Sequence, residues 1–364
     1  MFGLKYPSLL QFEHDRREET TRANLNALYG VEHAPSDTRL RERLNVLDPR
    51  HLRPRYQALF GPLQRGKGLE GFAYRDDHYL LSLDGTGYLS SQTIHCAPCA
   101  AKHHRNGTTT DYHQMLGAVL VHPDGQDVFP LAPEPILKPD GAKNNNCERN
   151  AAKRLLTDLR REHPHLKLIV VEDALAANGP HLRHLQALNL RFILGAKPSD
   201  HTLLFDGVAA SERTTEASCS DEHGFRHRCR YLNGAPLNDA HFDLAVNFLE
   251  YWEDDPTGRV PHCSWVTDLP INESNLMTLM RGACARWKIE NETFNTLKNQ
   301  GYHCEHHFGH GHQYLSTGLM HLMMQAFLID QIQQRCCRLF QAAWTASKRK
   351  TRRWRCQWQP ELTQ

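Results

Sequence analysis

Apolar and polar positions change texture three times along the 364-residue chain. Residues 1–78 are polar, with apolar residues at helical spacing. In PSDTRLRERLNVL, Ser36 or Asp37 is placed to cap a helix that carries Leu40, Leu44 and Leu47 on one face. From Tyr79 the period shortens. YLLSLD reads as a buried strand, YHQMLGAVLVHP contains a second, and GQDVFPLAPEPIL a third that ends at prolines. NNNCERNAAKRLLTDLRREHP is an amphipathic helix with Ala151, Leu155, Leu156 and Leu159 on its inner face. LKLIVVEDALAANGPHLRHLQAL is an apolar strand, an acid and then a helix, and LRFILGAKP is a further strand. Strands first and strand–helix units afterwards predict a mixed α/β domain.

The texture changes again over 201–271. FRHRCRYL, LAVNFLEYWE and HCSWVTDL are β-rich and aromatic, and NGAPLND and DDPTGRVP separate them, so an inserted small sheet is expected. NESNLMTLMRGACARWKIENETFNTLKNQG then returns to helix, with Asn272 or Ser274 as its cap and Gly301 as its stop. YLSTGLMHLMMQAFLIDQIQQRC is apolar on most sides and should be a buried helix. The expected division is a helical region over 1–78 and a core over 79–200 and 272–330. The insertion occupies 201–271. A helical basic tail over 331–364 carries Lys348, Arg349, Lys350, Arg352, Arg353 and Arg355.

Composition narrows the function classes only a little. Hydrophobic content is 40% and charged content 23%, ordinary globular values, and the formal net charge of +2 announces no global basic field. Arginines cluster in residues 1–78 (Arg16, Arg17, Arg22, Arg39, Arg41, Arg43, Arg50, Arg53 and Arg55) and read equally as a solvated helical face or a DNA-contacting surface. The N-terminal MFGLKYPSLL lacks the pattern of a signal peptide, and no apolar stretch has spanning length, so no membrane partner is expected. The 11 cysteines are scattered through a long chain, which fits free or metal-bound thiols in a reducing cytoplasm better than a disulfide framework.

Three acids stand out against this background. Asp84 ends the apolar run Leu80, Leu81, Leu83, and the following Gly85 makes a hairpin turn the competing reading. Asp173 ends the run Leu168, Ile169, Val170, Val171, where α/β sheets place their sites, and a helix cap is the competing reading there. Glu290 falls on a helical stripe with Trp287, Phe294 and Leu297, where a carboxylate is costly unless a cation or metal pairs with it. Glu292 lies on the opposite side of that helix and is expected in solvent. Arg286 and Lys298 flank Glu290 at distances that suit phosphate contacts. Acids from two strands and one helix can hold two Mg²⁺ or Mn²⁺ ions for phosphoryl transfer.

In these acids and in the text around them, the chain resembles the DDE transposases of bacterial insertion sequences. PSLLQFEHDRR, PSDTRLRERL, DGTGYLSSQTIHC, CERNAAKRLL, EDALAANGPHL, SWVTDLPI and RWKIENETFNTLKNQGYHCEHHFGHG all look like blocks of one such group. Together they cover most of residues 6–312. The resemblance implies an RNase H-like core with Asp84, Asp173 and Glu290 as its catalytic, Mg²⁺-binding triad. It also implies double-stranded DNA as element end and target, a homodimer in the DNA complex, and a bacterial, nucleoid-associated place in the cytoplasm. Two departures stand out. Relatives with the inserted segment carry a Tyr where this chain has Ala283 and a Lys where it has Leu297, with Lys298 one step late. The loop after Asp173 carries Leu175 and Ala176, where many relatives have an aromatic and a small residue. The rival readings are a non-catalytic DNA-binding protein descended from such an enzyme, and a metal nuclease that cuts without joining.

One further constellation stands apart from the acids. HCAPCAAKHH offers Cys96 and Cys99 with two residues between them, then His103 and His104; Cys96, Cys99 and His103 are the candidate ligands of one structural Zn²⁺. The usual second ligand pair is missing locally, and His113, Cys147, Cys304 or His306 are the candidates to complete it in space. Two ordinary thiols in a loop are the competing reading. The histidine-rich HCEHHFGHGH is a possible second cluster or a lining for a DNA channel.

Overall fold

Two long antiparallel strands, β1 (Tyr79–Ser91) and β3 (Thr109–Val121), form the spine of the protein. The structure is a computed structural model and describes residues 1–96, 99–137, 144–221, 224–306 and 308–348, apart from the side chains of 144–146 and 347–348. Leu80, Leu81, Val119, Leu120 and Val121 are fully buried because both faces of this part of the sheet are covered, which is why the runs read as continuously apolar. On the β1 side the sheet continues through parallel strands β6 (Leu168–Glu172) and β7 (Arg191–Gly195). Helices α5 (Asn144–Glu162) and α6 (Gly179–Ala187) lead into them, as parallel pairing requires of its crossovers. The outer edge of β3 is shared by β2 (Ala100–His103), β4 (Phe129–Pro130) and β5 (Glu134–Ile136).

Residues 201–271 hold helix α7 (Thr202–Ala210) and strands β8 (Thr215–Ser220), β9 (Arg226–Pro236), β10 (Ala245–Asp254) and β11 (His262–Thr267). The helix was not expected within this β-rich segment; it is short and buries only Leu204 and Val208. The strands do not make a sheet of their own. β11 pairs antiparallel with β7, so one 11-stranded sheet runs β2-β3-β1-β6-β7-β11-β10-β9-β8, with β4 and β5 on the β3 edge.

The N-terminal helices are α1 (Leu9–Asp15), α2 (Glu19–Tyr29), α3 (Asp37–Val46) and α4 (Arg53–Arg65). Ser36 caps α3 by accepting the Arg39 N–H at 3.3 Å, as expected. Phe2, Leu9, Leu44, Tyr56, Phe60 and Leu63 belong to the same hydrophobic cluster as the sheet, together with the buried helix α10 (Leu315–Cys336). The Tyr56 hydroxyl donates to the His321 carbonyl at 2.6 Å. Arg53, 4% exposed, donates to both Glu162 oxygens at 2.5 and 3.0 Å. Much of the N-terminal region is therefore packed into the core, while Leu4, Phe12 and Leu25 form a small cluster of their own.

Past the insertion, the expected single helix is broken into α8 (Leu276–Cys284), a 3₁₀ turn Ala285–Trp287, a π-helical turn Ile289–Phe294 and α9 (Asn295–Asn299). Neither Asn272 nor Ser274 caps α8; Asn275 precedes it, and its side-chain oxygen instead accepts the Asn272 N–H. The last described helix is α11 (Arg338–Lys348), and Arg349, Lys350, Arg352, Arg353 and Arg355 of the basic tail lie outside the described residues. Among the described residues no helix is long and apolar enough to cross a membrane.

Candidate active site and metal cluster

The parallel ladder between β1 and β6 ends at the pair Ser82 and Val171. Asp84 and Asp173 each stand two residues beyond that pair, and both line one small cavity at the strand ends. Local backbone holds each in place. Asp84 Oδ1 accepts the Gly85 N–H at 2.8 Å, and Asp173 Oδ1 accepts the Leu175 N–H at 2.9 Å. Asp84 is not in a hairpin turn, since β1 continues to Ser91. Asp173 is exposed and does not cap α6, whose N-cap is Asn178.

The Glu290 segment packs directly over β1 and β3. Ser82 Oγ donates to the Arg286 carbonyl at 3.0 Å. Gly117, the β3 partner of Asp84, leaves room for the π-helical turn; a Cβ there would meet Phe294 Cζ at 3.0 Å and Ile289 Cδ1 at 3.4 Å. Arg286 Nη1 lies 3.6 Å from Asp84 Oδ2, and its guanidinium lies over the Trp287 ring at 4.0 Å. Glu290 is near enough for its charge to act on Asp84.

Two expectations for this segment are corrected. Trp287 is 53% exposed, while Phe294 and Leu297 are buried, so the stripe is not continuous. Glu290 is exposed and Glu292 half-buried, the reverse of the expected order. The cause is the π turn, which winds more residues per turn and breaks the 100° step on which the stripe was counted. Lys298 pairs with Glu305 at 3.1 Å rather than standing free.

The acids strain one another. Burial raises the Asp84 pKa above the ordinary aspartate value; Arg286 and the Gly85 N–H oppose the rise, and Asp173 and Glu290 add to it. A fourth carboxylate joins them from α5. Burial, and then the charges of Asp84, Asp173 and Glu172, push Glu148 up to about 7. Asp84, Glu148, Glu172 and Asp173 line one small cavity together with Leu83 and His181. Glu172 is already engaged with the buried His181 at 2.6 Å. The remaining carboxylates form an all-oxygen donor set short of positive charge, which fits a hard divalent cation. They are spread rather than clustered: among the described residues they do not form a group of ligand atoms all within 4.8 Å of one another.

A tighter group lies past the end of β1. Cys96 Sγ, Cys99 Sγ, His113 Nε2 and His310 Nε2 all lie within 4.8 Å of one another. The two sulfurs are 3.4 Å apart, and His113 Nε2 is 3.3 and 3.2 Å from them. His310 Nε2 is 3.3 Å from both Cys99 Sγ and His113 Nε2. A bulge in β1 between Gly87 and Leu89 adjoins His113, and such irregularities re-aim side chains. His310 sits between Gly309 (φ 151°) and Gly311 (φ 67°), backbone shapes that favour glycine. Asn45 Oδ1 of α3 secures this turn by accepting the His312 and Gln313 N–H groups at 2.8 and 3.1 Å.

No protein-family model matches the chain, and a search of curated proteins finds no match.

His103, the expected third ligand of the thiol pair, is exposed on β2 and bonds Thr109 Oγ1 at 3.0 Å. It is not among the side chains that gather around the thiols. Cys304 is buried against Met320 Sδ at 3.5 Å, and His306 rests edge-on against Phe308. Of the residues held open for completing the site, His113 alone takes part. His310 and Glu148 were not singled out from sequence. The Gly-His-Gly spelling was a usable signal for the first, since two glycines around one histidine mark a constrained turn. Glu148 carried only its place in the block CERNAAKRLL.

Proposed function

We propose that the protein is a DDE transposase: it binds double-stranded DNA at element ends, hydrolyses a phosphodiester bond and joins the freed 3′-hydroxyl to target DNA. One observation carries this reading. Asp84 and Asp173 stand two residues beyond the last pair of adjacent parallel strands, and the charge of Glu290, from a segment packed on the same strands, reaches Asp84. The sheet order supports an RNase H-like core, because β1 pairs antiparallel with β3 and parallel with β6, with β7 parallel beyond. The segment 201–271 is then the insertion, joined to the core through β11.

Asp84, Asp173 and Glu290 would hold two Mg²⁺ or Mn²⁺ ions, with Glu148 beside them as a further oxygen donor. Such ions supply charge neutralisation at the attacking and leaving oxygens of a phosphoryl displacement. The chain's own groups do the rest. Arg286, held against Asp84 and stacked on Trp287, presents a guanidinium to a phosphate oxygen. Asp84 is half-buried, so its charge is screened less by water than those of the exposed Asp173 and Glu290. The protein acts as a homodimer on DNA, in the cytoplasm of a bacterium and close to its nucleoid.

The test is incubation of the purified chain with DNA carrying the sequences that flank its own gene, plus a target plasmid, with Mg²⁺ or chelator. Mg²⁺-dependent cutting followed by joining is expected. Cutting without joining would make it a nuclease, and DNA binding without either would make it a non-catalytic relative.

A further inference from the structure

The Cys96, Cys99, His113 and His310 cluster is separate from the carboxylates, and the proposed reaction makes no use of it. Three remote parts of the chain supply it: the segment after β1, strand β3, and the turn that follows α9. Cys99, His113 and His310 are buried, at 3%, 5% and 9% exposure. Sulfur and imidazole nitrogen do not converge in a protein interior by apolar packing alone, because each lone pair taken from water needs a partner.

The shape of the group is that of a coordination polyhedron. A tetrahedral ion with bonds of about 2.3 Å to sulfur and about 2.1 Å to nitrogen has donor–donor edges of roughly 3.4–3.8 Å. The five short edges here run from 3.2 to 3.4 Å. The protonation pattern agrees. His310 Nδ1 lies 3.0 Å from the Gly311 carbonyl, which only accepts, so that nitrogen carries the proton and Nε2 presents its lone pair to the cluster. Two thiolates with two imidazoles suit a borderline-soft ion and not the hard cations expected of the acids. Four protein donors leave no position for substrate, which marks a structural site.

We propose that Cys96, Cys99, His113 and His310 bind one Zn²⁺ that clamps the turn following the Glu290 segment to the sheet that bears Asp84. The ion joins positions 96–113 to position 310, and through the Asn45 bonds it ties the same turn to α3. One chain thus sorts two metals by donor softness, with oxygen donors at the strand ends and sulfur and nitrogen donors at the clamp.

The experiment uses the full-length protein, purified under reducing conditions from zinc-replete cells, and measures metal content independently of DNA cleavage. About one zinc per chain is expected, with intense visible bands of tetrahedral thiolate-bound cobalt after exchange with Co²⁺. His310→Ala should lose most of the bound metal, His103→Ala should retain it, and His310→Cys should keep cobalt with a shifted spectrum that reports a third thiolate. His310→Cys also covers the case in which His310→Ala fails to fold. Zinc-free wild-type protein that takes up no Co²⁺, an intact Cys96–Cys99 disulfide after reduction, or full metal content in a Cys96→Ser, Cys99→Ser double variant would each overturn the assignment.

Discussion

Asp84 on β1 faces Gly117 on β3, and the missing side chain of Gly117 is what lets Phe294 settle on the strand beside the acid. This glycine therefore sets how near the Glu290 segment comes to Asp84. A β-branched side chain at 117 must push Phe294 and Ile289 outward, and with them the turn that carries Glu290. Gly117→Val is expected to cost about 1–3 kcal/mol by overpacking. It should also lower DNA cleavage far more than DNA binding. Gly117→Ala should be milder, since Phe294 needs to yield only a few tenths of an ångström. Urea denaturation and a cleavage assay on the two variants check this; equal activity in Gly117→Val and wild type would separate Glu290 from the site.

Isosteric amides test the acids without emptying the cavity. Asp84→Asn, Asp173→Asn and Glu290→Gln are each expected to abolish Mg²⁺-dependent cleavage while leaving DNA affinity within a few-fold. In chelator, Asp84→Asn should melt no lower than wild type, because burial and the neighbouring acids disfavour its charge in the metal-free fold. Glu292→Gln is the control and should change activity little. Loss of activity in Glu292→Gln alone would show that the π turn offers the other glutamate to the sheet.

The two strand acids were legible because a fully buried strand is written as an unbroken apolar run, and an acid that ends one is conspicuous in a single sequence. The helix acid was legible by resemblance and by a stripe that turned out to be broken. Counting at 100° per residue put Trp287 with Phe294 and Leu297, whereas the 3₁₀ and π turns break that step and leave Trp287 and Glu290 exposed. Backbone period is not encoded by composition, so no count at fixed spacing recovers it. The cysteine–histidine cluster shows the opposite failure. Cys96 and Cys99 were visible as a local pair, but His310 lies 211 positions beyond Cys99, and only the fold brings them to 3.3 Å. The expected local ligand, His103, is displaced by one that the topology delivers.

Arg53 is expected to be the costliest single charge to remove. It is 4% exposed, bonds Glu162 through two nitrogens, lies 3.7 Å from both Glu134 and Asp158, and donates to the Pro133 carbonyl at 3.3 Å. Arg53→Met keeps the stem but leaves buried carboxylates unpaired, and breaking a pair of this kind costs about 3–5 kcal/mol. Deleting residues 1–78 removes Arg53 and uncovers the apolar face of α10 as well. That fragment should be insoluble instead of a folded core lacking only its DNA preference. Analytical size exclusion and denaturation curves decide; a monomeric, cooperatively folding fragment 79–364 would show that the N-terminal helices are a true appendage.

His321 on α10 gives the fold an acid-sensitive point. Its ring is fully buried, and neither ring nitrogen has a hydrogen-bond partner among the described residues. Burial, helped by the nearby Arg53 charge, lowers its pKa from 6.5 to about 3. The native state therefore keeps the imidazole neutral, while the unfolded chain takes up a proton as the pH falls through 6.5. Stability is unaffected by this group above that value. Between about pH 6 and about pH 4 it falls by about 1.4 kcal/mol per pH unit, one proton's worth of linkage. His321→Leu removes the proton uptake and the two unsatisfied nitrogens while filling a similar volume. The variant should be more stable than wild type by about 1–2 kcal/mol at pH 7. Its advantage should widen steadily as the pH drops toward 4. Denaturant midpoints measured for both proteins across that range give the answer directly: parallel curves would mean that the buried imidazole carries none of the acid sensitivity.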